Sequence, residues 1–203
     1  MSKMRIEQSS AQRDFFALFQ EDGSIWRLVH KSLYQKILRD FLQNLSFEEF
    51  KKQFTLKESS YARSCALELL ARRSCFTIEL KEALLGKGLN IDSVAEAISY
   101  AQKMGFLCDK TQLSFILEKL IRKGKGKHMI IAYLSRYHFH RETIEQALES
   151  LSFKPREEIE RLIEKKIGDS SLDDPKKKRK IILFLQRKGF ALEEILDVIR
   201  TRS

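Results

Sequence analysis

The sequence predicts a mainly α-helical fold of tandem three-helix repeats in an extended array, with a small N-terminal β-hairpin and helices attached. The first observation is an apolar pattern that occurs three times, spaced by 50 and then 51 residues. Its members are Leu80, Leu84, Gly88, Leu89, Val94 and Ile98, then Ile130, Leu134, His138, Phe139, Ile144 and Leu148, and then Ile181, Leu185, Gly189, Phe190, Ile195 and Ile199. Apolar residues four positions apart share a helix face, so each copy predicts helix, turn, helix. Such a recurring unit is typical of stacked helical modules.

The second observation is composition. The 203 residues include only 2 Pro and 8 Gly, which favours long helices over an architecture of strands and turns. The hydrophobic share of 43% is enough to form packed cores, so this composition argues against a disordered chain.

The N-terminal segment, residues 1–58, differs from the rest. Two β-prone runs at residues 15–19 and 25–30 flank an Asp-Gly pair, which predicts a hairpin. Residues 31–42 then have helical spacing. Ser46 and Glu49 predict a capping box at the start of a short helix.

The repeats are predicted at residues 59–107, 108–153 and 154–203, each with three helices. Helix boundaries are predicted from cap residues and breakers. In the first repeat, Arg72-Arg73 ends the first helix, Thr77 starts the second, and Asn90 or Asp92 starts the third. In the second repeat, the first helix lies between Asp109 and Arg122-Lys123. In the third repeat, Pro155 and Asp174-Pro175 start helices.

Charge is the third observation. The net charge is +10; residues 1–60 carry 10 basic and 8 acidic side chains, whereas residues 61–203 carry 28 and 20. Two stretches, 119–141 and 176–188, hold seven basic residues each and no acid, and between them residues 142–174 hold ten acids and five bases. A solvated helix face is one interpretation, and contact with an anionic partner is the other. The repetition of acid-free clusters favours the anionic partner, through phosphate contacts without sequence-specific base readout.

The candidate binding residues are the basic pairs that end helices, together with two lysine-rich runs. They are Arg72, Arg73, Arg122, Lys123, Lys125, Lys127, Lys176, Lys177, Lys178, Arg179, Arg187 and Lys188.

Several other motifs favour structural interpretations. Residues 124–127, Gly-Lys-Gly-Lys, lack the spacing and hydroxyl residue of a phosphate-binding loop, so they predict a turn that ends a helix. His138 and His140 lack further ligands nearby and are interpreted as turn and cap residues rather than as a metal site. The lysine run at 176–180 also resembles a nuclear-localisation cluster, an alternative that is not favoured. Trp26 and its neighbouring phenylalanines predict a small core, with a base-stacking platform as the alternative.

The cysteines, Cys65, Cys75 and Cys108, are odd in number and lack metal-site spacing, which indicates buried thiols in a reducing cytoplasm. Residues 1–10 carry no apolar segment typical of a secretion signal, and the longest aliphatic run is too short to span a bilayer. No constellation of catalytic side chains and no cofactor motif stands out, so we expect a binding protein without cofactor or membrane contact rather than an enzyme.

Ordered motifs occur at 61–73, 77–88, 105–109, 122–124 and 174–199. Through these motifs, residues 45–201 resemble the RecX family, whose members regulate the bacterial RecA recombinase. Departures are Gln112 and Leu113, where the family usually has an aromatic residue and Ala, His138 in place of Gly, and Cys108 in place of an acid.

The resemblance implies a tandem three-helix fold and a partner, the RecA filament on single-stranded DNA. It also implies a regulator that restrains filament growth, ATP hydrolysis, strand exchange and co-protease activity. We expect this regulator to be a monomer. The alternative from the residues alone is a general nucleic-acid-binding helical-repeat protein without a recombinase partner.

Overall fold

A computed structural model describes residues 5–10, 13–37, 46–168 and 174–202. The chain divides into two compact units, Met1–Asp109 and Lys110–Ser203, which we call unit 1 and unit 2. The structure is mostly helical with a small N-terminal sheet, which confirms the predicted fold class.

The sheet of unit 1 has three antiparallel strands in the order β1 (Arg5–Gln8), β2 (Phe15–Phe19) and β3 (Ile25–His30). The hairpin of β2 and β3 confirms the prediction from the Asp-Gly turn, and Gly23 there has a φ of 81°. Strand β1 was not predicted, because its residues are mostly polar and exposed and pair only with the edge of the hairpin.

Helix α1 spans Lys31–Ile37, and the rest of the predicted helix, residues 38–42, lies outside the described residues. Helix α2 spans Phe47–Arg72 and begins with the predicted capping box of Ser46 and Glu49. The prediction of a separate short helix after Ser46 is wrong, because α2 is continuous through residue 58 and contains neither Gly nor Pro to end it. The expected segment boundary at 58/59 therefore lies inside a helix.

Helices α3 (Thr77–Leu85) and α4 (Ile91–Lys103) complete unit 1. Asn90 is the N-cap of α4, as predicted. The predicted N-cap Thr77 is instead the first residue of α3. Its backbone N–H and its hydroxyl donate to Asp109 Oδ1 at 2.7 and 3.0 Å, so the carboxylate of Asp109 satisfies both donors.

The core of unit 1 joins the sheet to these helices, with Leu18 and Val29 packed among residues of α2, α3 and α4. Trp26 contacts the rings of Phe47, Phe50 and Phe54 edge-on, at centroid distances of 5.8, 6.2 and 5.6 Å. This packing supports the core interpretation of Trp26 over the base-stacking one.

A buried ion pair lies beside that core. Glu58 is fully buried and accepts hydrogen bonds from the guanidinium of Arg27 and, at 2.7 Å, from the backbone N–H of Asn90. The carboxylate thereby links β3 to the start of α4. Sequence periodicity carried no sign of this contact, because Arg27 lies in a strand and Glu58 lies in a helix 31 positions further along the chain.

Unit 2 contains two further sets of helices. They are α5 (Asp109–Arg122), which begins at the last residue of unit 1, α6 (Lys127–Leu134) with a 3₁₀ turn at Ser135–Tyr137, α7 (Arg141–Ser150), α8 (Pro155–Ile167), α9 (Pro175–Lys188) and α10 (Leu192–Arg202). Asp174 caps α9 as predicted, accepting from the N–H of Lys176 at 2.8 Å.

The three copies of the apolar pattern share a backbone conformation. Gly88, His138 and Gly189 all adopt positive φ, at 78°, 63° and 94°. Of the other fifteen members all are buried except Phe139. The pattern thus describes a left-handed turn between two helices, which Gly adopts readily and His adopts at some cost.

Candidate nucleic-acid interface

The turn at residues 124–127 leads from α5 into α6. Gly124 has a φ of 65°, and its N–H donates to Ile121 O at 2.7 Å. Gly126 is the N-cap of α6. Both flanks are helical, so the turn interpretation is confirmed and a phosphate-binding loop between strand and helix is excluded.

This turn is bonded to the end of α9. The N–H of Gly126 donates to Lys188 O at 2.8 Å, and the N–H of His128 donates to Gly189 O at 3.0 Å. A Cβ on Gly126 would overlap the carbonyl carbon of Gly189. Two backbones thus meet without side chains between them, and Lys188 comes close to Lys123.

A cleft of about 340 Å³ opens beside this contact, and we call it the basic cleft. Its apolar floor is Leu162 and Phe184. Leu162 lies directly under Gly124, where an added Cβ would come within 2.9 Å of Leu162 Cδ2. Six basic side chains surround that floor: Arg122, Lys123, Arg161, Lys165, Lys166 and Lys188.

The half-buried ring of Phe184 lies among ammonium groups. The Nζ atoms of Lys166 and Lys188 are 5.0 and 5.7 Å from its centroid, within the range of cation–π attraction. Lys188 Nζ also lies 3.4 Å from the backbone oxygen of Lys123. These contacts hold two lysines at the cleft without neutralising them.

Most of the basic side chains in the basic cleft have no acidic partner among the residues that the structure describes. Arg161 pairs with Glu158 at 2.6 Å. Within residues 46–168 and 174–202, no carboxylate forms an ion pair with Arg122, Lys123, Lys165, Lys166 or Lys188. Several like charges beside an apolar ring attract anions, because the low-dielectric wall screens them less than water does.

Three of the twelve candidate residues, Arg122, Lys123 and Lys188, meet at the basic cleft. Arg187 is exposed next to it on α9. Lys127 instead pairs with Glu145 at 2.9 Å. Hydrogen bonds from Lys127 and then from Arg141 lower the pKa of Glu145, so the charge of Lys127 is partly compensated.

The remaining candidates lie elsewhere. Lys176, Lys177, Lys178 and Arg179 occupy the first turns of α9, about 14–18 Å along the helix from Lys188 at a rise of about 1.5 Å per residue. Arg72 and Arg73 end α2 in unit 1, and Arg73 pairs with Glu79 at 3.1 Å. Lys125, in the turn before α6, is half-buried.

Sequence reasoning missed Arg161, Lys165 and Lys166. Counting charge along the chain placed them in a net acidic stretch. Their helical spacing was the available signal, because Arg161 and Lys165 are four residues apart and share one face of α8.

His138 and His140 have the predicted turn and cap positions, at the left-handed turn before α7 and at its N-cap. No group of His, Cys, Asp and Glu in the described ranges could hold a metal ion. No helix of the described chain has both the length and the apolar character required to cross a bilayer.

Comparison with known proteins finds one family throughout. A family model for the third three-helix domain of RecX matches residues 156–199. Regulatory protein RecX of Pelodictyon phaeoclathratiforme is 30% identical over 144 residues, an alignment that covers 68% of this chain and 87% of that protein. RecX of Caldanaerobacter subterraneus is 25% identical over 153 residues, covering 75% and 76%.

Solved structures agree on the fold. A crystal structure of regulatory protein RecX superposes with a TM-score of 0.63 at 16% identity, covering 99% of this chain and 100% of that one. RecX from Lactobacillus salivarius gives a TM-score of 0.63 at 22% identity, covering 72% and 97%.

Proposed function

This chain belongs to the RecX family, and from that premise we propose that it regulates the RecA recombinase by binding along the RecA–single-stranded DNA filament. The regulation is inhibition of RecA recombinase, ATPase and co-protease activities. The protein acts by binding and not by catalysis, as a monomer without a cofactor, in the cytoplasm where RecA works.

The observation that carries the proposal is the basic surface of unit 2. The basic cleft forms one part of it. The other part is the start of α9, where five consecutive basic residues, 176–180, follow Asp174 and Pro175 and the first turn contains no acid. A nucleoprotein filament presents phosphates and acidic side chains, and both suit such a surface.

The start of α9 is notable because it opposes helix stability. A helix N-terminus carries a partial positive charge, so basic side chains in the first turn are unfavourable there. Stability alone would select acids at these positions. An anionic partner would relieve this repulsion, which supports binding as the role of the lysine run.

Regulation requires a difference in affinity. A protein that binds assembled RecA more tightly than free subunits stabilises the filament. A protein that binds a form of the filament that cannot extend blocks filament growth. Several repeats that contact successive RecA subunits would add avidity. Inhibition therefore follows when the bound state is one that hydrolyses ATP or adds subunits slowly.

The test is RecA ATPase activity stimulated by single-stranded DNA, measured with the protein at a level too low to coat the DNA. We expect inhibition that persists when excess DNA is added, because the partner is the filament. Relief by excess DNA would favour the alternative, a general nucleic-acid-binding repeat protein. Unchanged ATPase at every protein level would contradict the proposal.

A further inference from the structure

We infer that the turn between α6 and α7, at residues 135–139, is a docking surface for the start of a helix in a partner protein. We call it the middle turn, because it is the second of the three left-handed turns in the apolar pattern. The inference rests on the proposed function, which makes a RecA subunit the partner. It adds a site on unit 2 for the protein part of the filament, and that site uses no residue of the basic cleft.

The turn at Gly189 shows what covers a turn of this kind. The N–H of His128 donates to Gly189 O at 3.0 Å, and a Cβ on Gly189 would lie only 2.4 Å from Met129 N. His128 and Met129 belong to the start of α6. The start of α6 therefore covers the end of α9, and N–H groups at the positive end of one helix dipole meet carbonyls at the negative end of the other.

The turn at Gly88 is covered in a similar way. A Cβ on Gly88 would lie 2.9 Å from His30 Cβ, and His30 is the residue directly before α1. The guanidinium of Arg27 donates to Gly88 O at 3.4 Å. Both glycine turns thus have a segment that leads into a helix against the glycine and an N–H donor at its carbonyl.

The middle turn is the most open of the three. His138 is exposed, and no N–H or O–H of the residues that the structure describes donates to its carbonyl. Phe139 is only half-buried, whereas Leu89 and Phe190 at the same position of the pattern are 4% and 2% exposed. A left-handed backbone at a residue other than Gly is costly, and such residues cluster at functional sites. The middle turn is therefore a surface that a partner can complete.

The side chains around the middle turn suit a partner with an acid at its helix start. The guanidinium carbon of Arg136 lies 4.8 Å from the ring centre of Tyr133, whose hydroxyl is 3.4 Å from that of Tyr137. Tyrosine and arginine side chains carry much of the binding energy of protein interfaces. No carboxylate in the described part of the chain forms an ion pair with Arg136. Because the helix dipole favours acids at a helix start, the partner offers a carboxylate to Arg136 and N–H groups to the carbonyl of His138.

The side chain of His138 determines how closely a partner can approach. At Gly88 and Gly189 the covering segment lies where a Cβ would otherwise stand, at 2.9 and 2.4 Å from the position of that atom. His138 already has a Cβ, so the backbone of a partner stays further away and the partner meets the imidazole instead. The middle turn is therefore suited to an association that forms and breaks, whereas the two glycine turns hold permanent contacts within the fold.

The first experiment replaces His138 with the photoreactive residue p-benzoylphenylalanine in the full chain. The protein is irradiated together with RecA filaments assembled on single-stranded DNA with a non-hydrolysable ATP analogue. We expect a crosslink to RecA that mass spectrometry places at the start of a RecA helix. The same replacement at Gln146, which is exposed on α7, is the control and should lose that crosslink.

The second experiment reverses the charge at the middle turn with Arg136→Glu, an exposed position whose change should leave the fold intact. Anisotropy of filaments on labelled DNA should show binding about tenfold weaker, because the carboxylate of the partner is then repelled. Arg136→Lys keeps the charge and should keep most of the affinity. Lys103→Glu, at an exposed residue of α4 in unit 1, makes the same change in net charge and should bind as the wild type does.

The inference fails if position 138 crosslinks only to DNA or to a second copy of this chain. It fails equally if position 138 gives no crosslink to RecA and Arg136→Glu binds filaments as tightly as the wild type. In both cases, inhibition of the RecA ATPase by the wild type would leave the proposed function standing, so the two proposals are tested separately. The crosslink is measured on a chain that retains Arg136, so it tests the middle turn even where Arg136→Glu does not fold.

Discussion

Gly126 and Gly189 meet backbone to backbone in unit 2, where the N–H of Gly126 donates to Lys188 O at 2.8 Å just before Gly189. The two residues are 63 positions apart, in the turn after α5 and the turn after α9. Each turn has a local role in ending its helix. Their contact gives both turns a second role, because it brings Arg122 and Lys123, which precede the first turn, and Lys188, which precedes the second, to the basic cleft.

Gly126→Ala should destabilise unit 2. Gly126 has a φ of −82°, which Ala adopts without strain. Because Ala lowers the conformational entropy of the unfolded chain, this change by itself would stabilise the protein by about 0.4–1 kcal/mol. The added Cβ would overlap the Gly189 carbonyl, and overpacking of this kind costs about 1–3 kcal/mol. Urea unfolding gives the sign of the change. A rise in stability would contradict the observed contact.

His138→Gly should stabilise the protein by up to about 1 kcal/mol, because His138 has a left-handed backbone that penalises any Cβ. His140→Gly is the control at φ −69°, where Gly should only lower stability. Thermal unfolding of the two variants should therefore shift in opposite directions. Equal destabilisation of the two variants would show that the side chain of His138 stabilises the protein by more than its strained backbone costs.

Cys108 is exposed, so the expectation of a buried thiol is wrong for this residue, whereas Cys65 and Cys75 are buried as expected. Cys108 should therefore react first with a thiol reagent. Burial, with the nearby carboxylates of Glu79 and Asp109, raises the pKa of the Cys75 thiol. Titration with Ellman's reagent at pH 8 should show one fast thiol in the native protein, absent from Cys108→Ser. Three equally fast thiols would contradict this burial.

The raised pKa of Cys75 also predicts a pH dependence. The folded protein keeps the thiol protonated at pH values where the unfolded chain ionises it. This contribution is therefore complete below the unfolded thiol pKa and is lost as pH rises through the folded value. Wild type should lose more stability between pH 8 and pH 10 than Cys75→Ala, measured by urea unfolding at each pH.

Replacing the four basic residues at 176–179 with Gln should raise the stability of the protein and weaken its binding to the RecA filament. Removing positive charge from the start of α9 relieves repulsion with the helix dipole, so the unfolding temperature should rise slightly. Binding to the RecA filament should weaken, with a salt slope flatter by up to about 3. Anisotropy of a preformed filament on labelled DNA measures the second effect.

Lys51→Gln with Lys52→Gln is a control for that variant, since both lysines are exposed in α2 of unit 1. It should leave filament binding unchanged. If the α9 variant bound the filament as tightly as the wild type, the lysine run would be only a solvated surface.

Local features were predictable because they depend on a few neighbouring residues. The turns at Gly88, His138 and Gly189 follow from apolar spacing, and the caps Ser46 and Asp174 follow from residue type. Strand β1 and the length of α2 were not predicted. A polar edge strand carries a weak periodic signal, and the expected break in α2 had no Gly or Pro to cause it.

By itself, the sequence determined a helical chain with three like turns, an N-terminal hairpin and an excess of positive charge. Those properties arise from helical periodicity and composition, which are local or additive along the chain. Only the tertiary structure decided that Gly126 contacts Gly189, that Glu58 is buried with Arg27, and that α8 supplies Arg161, Lys165 and Lys166 to the basic cleft. The reason is physical: which faces of distant helices meet depends on how their side chains pack, and no pattern within either helix specifies that partner.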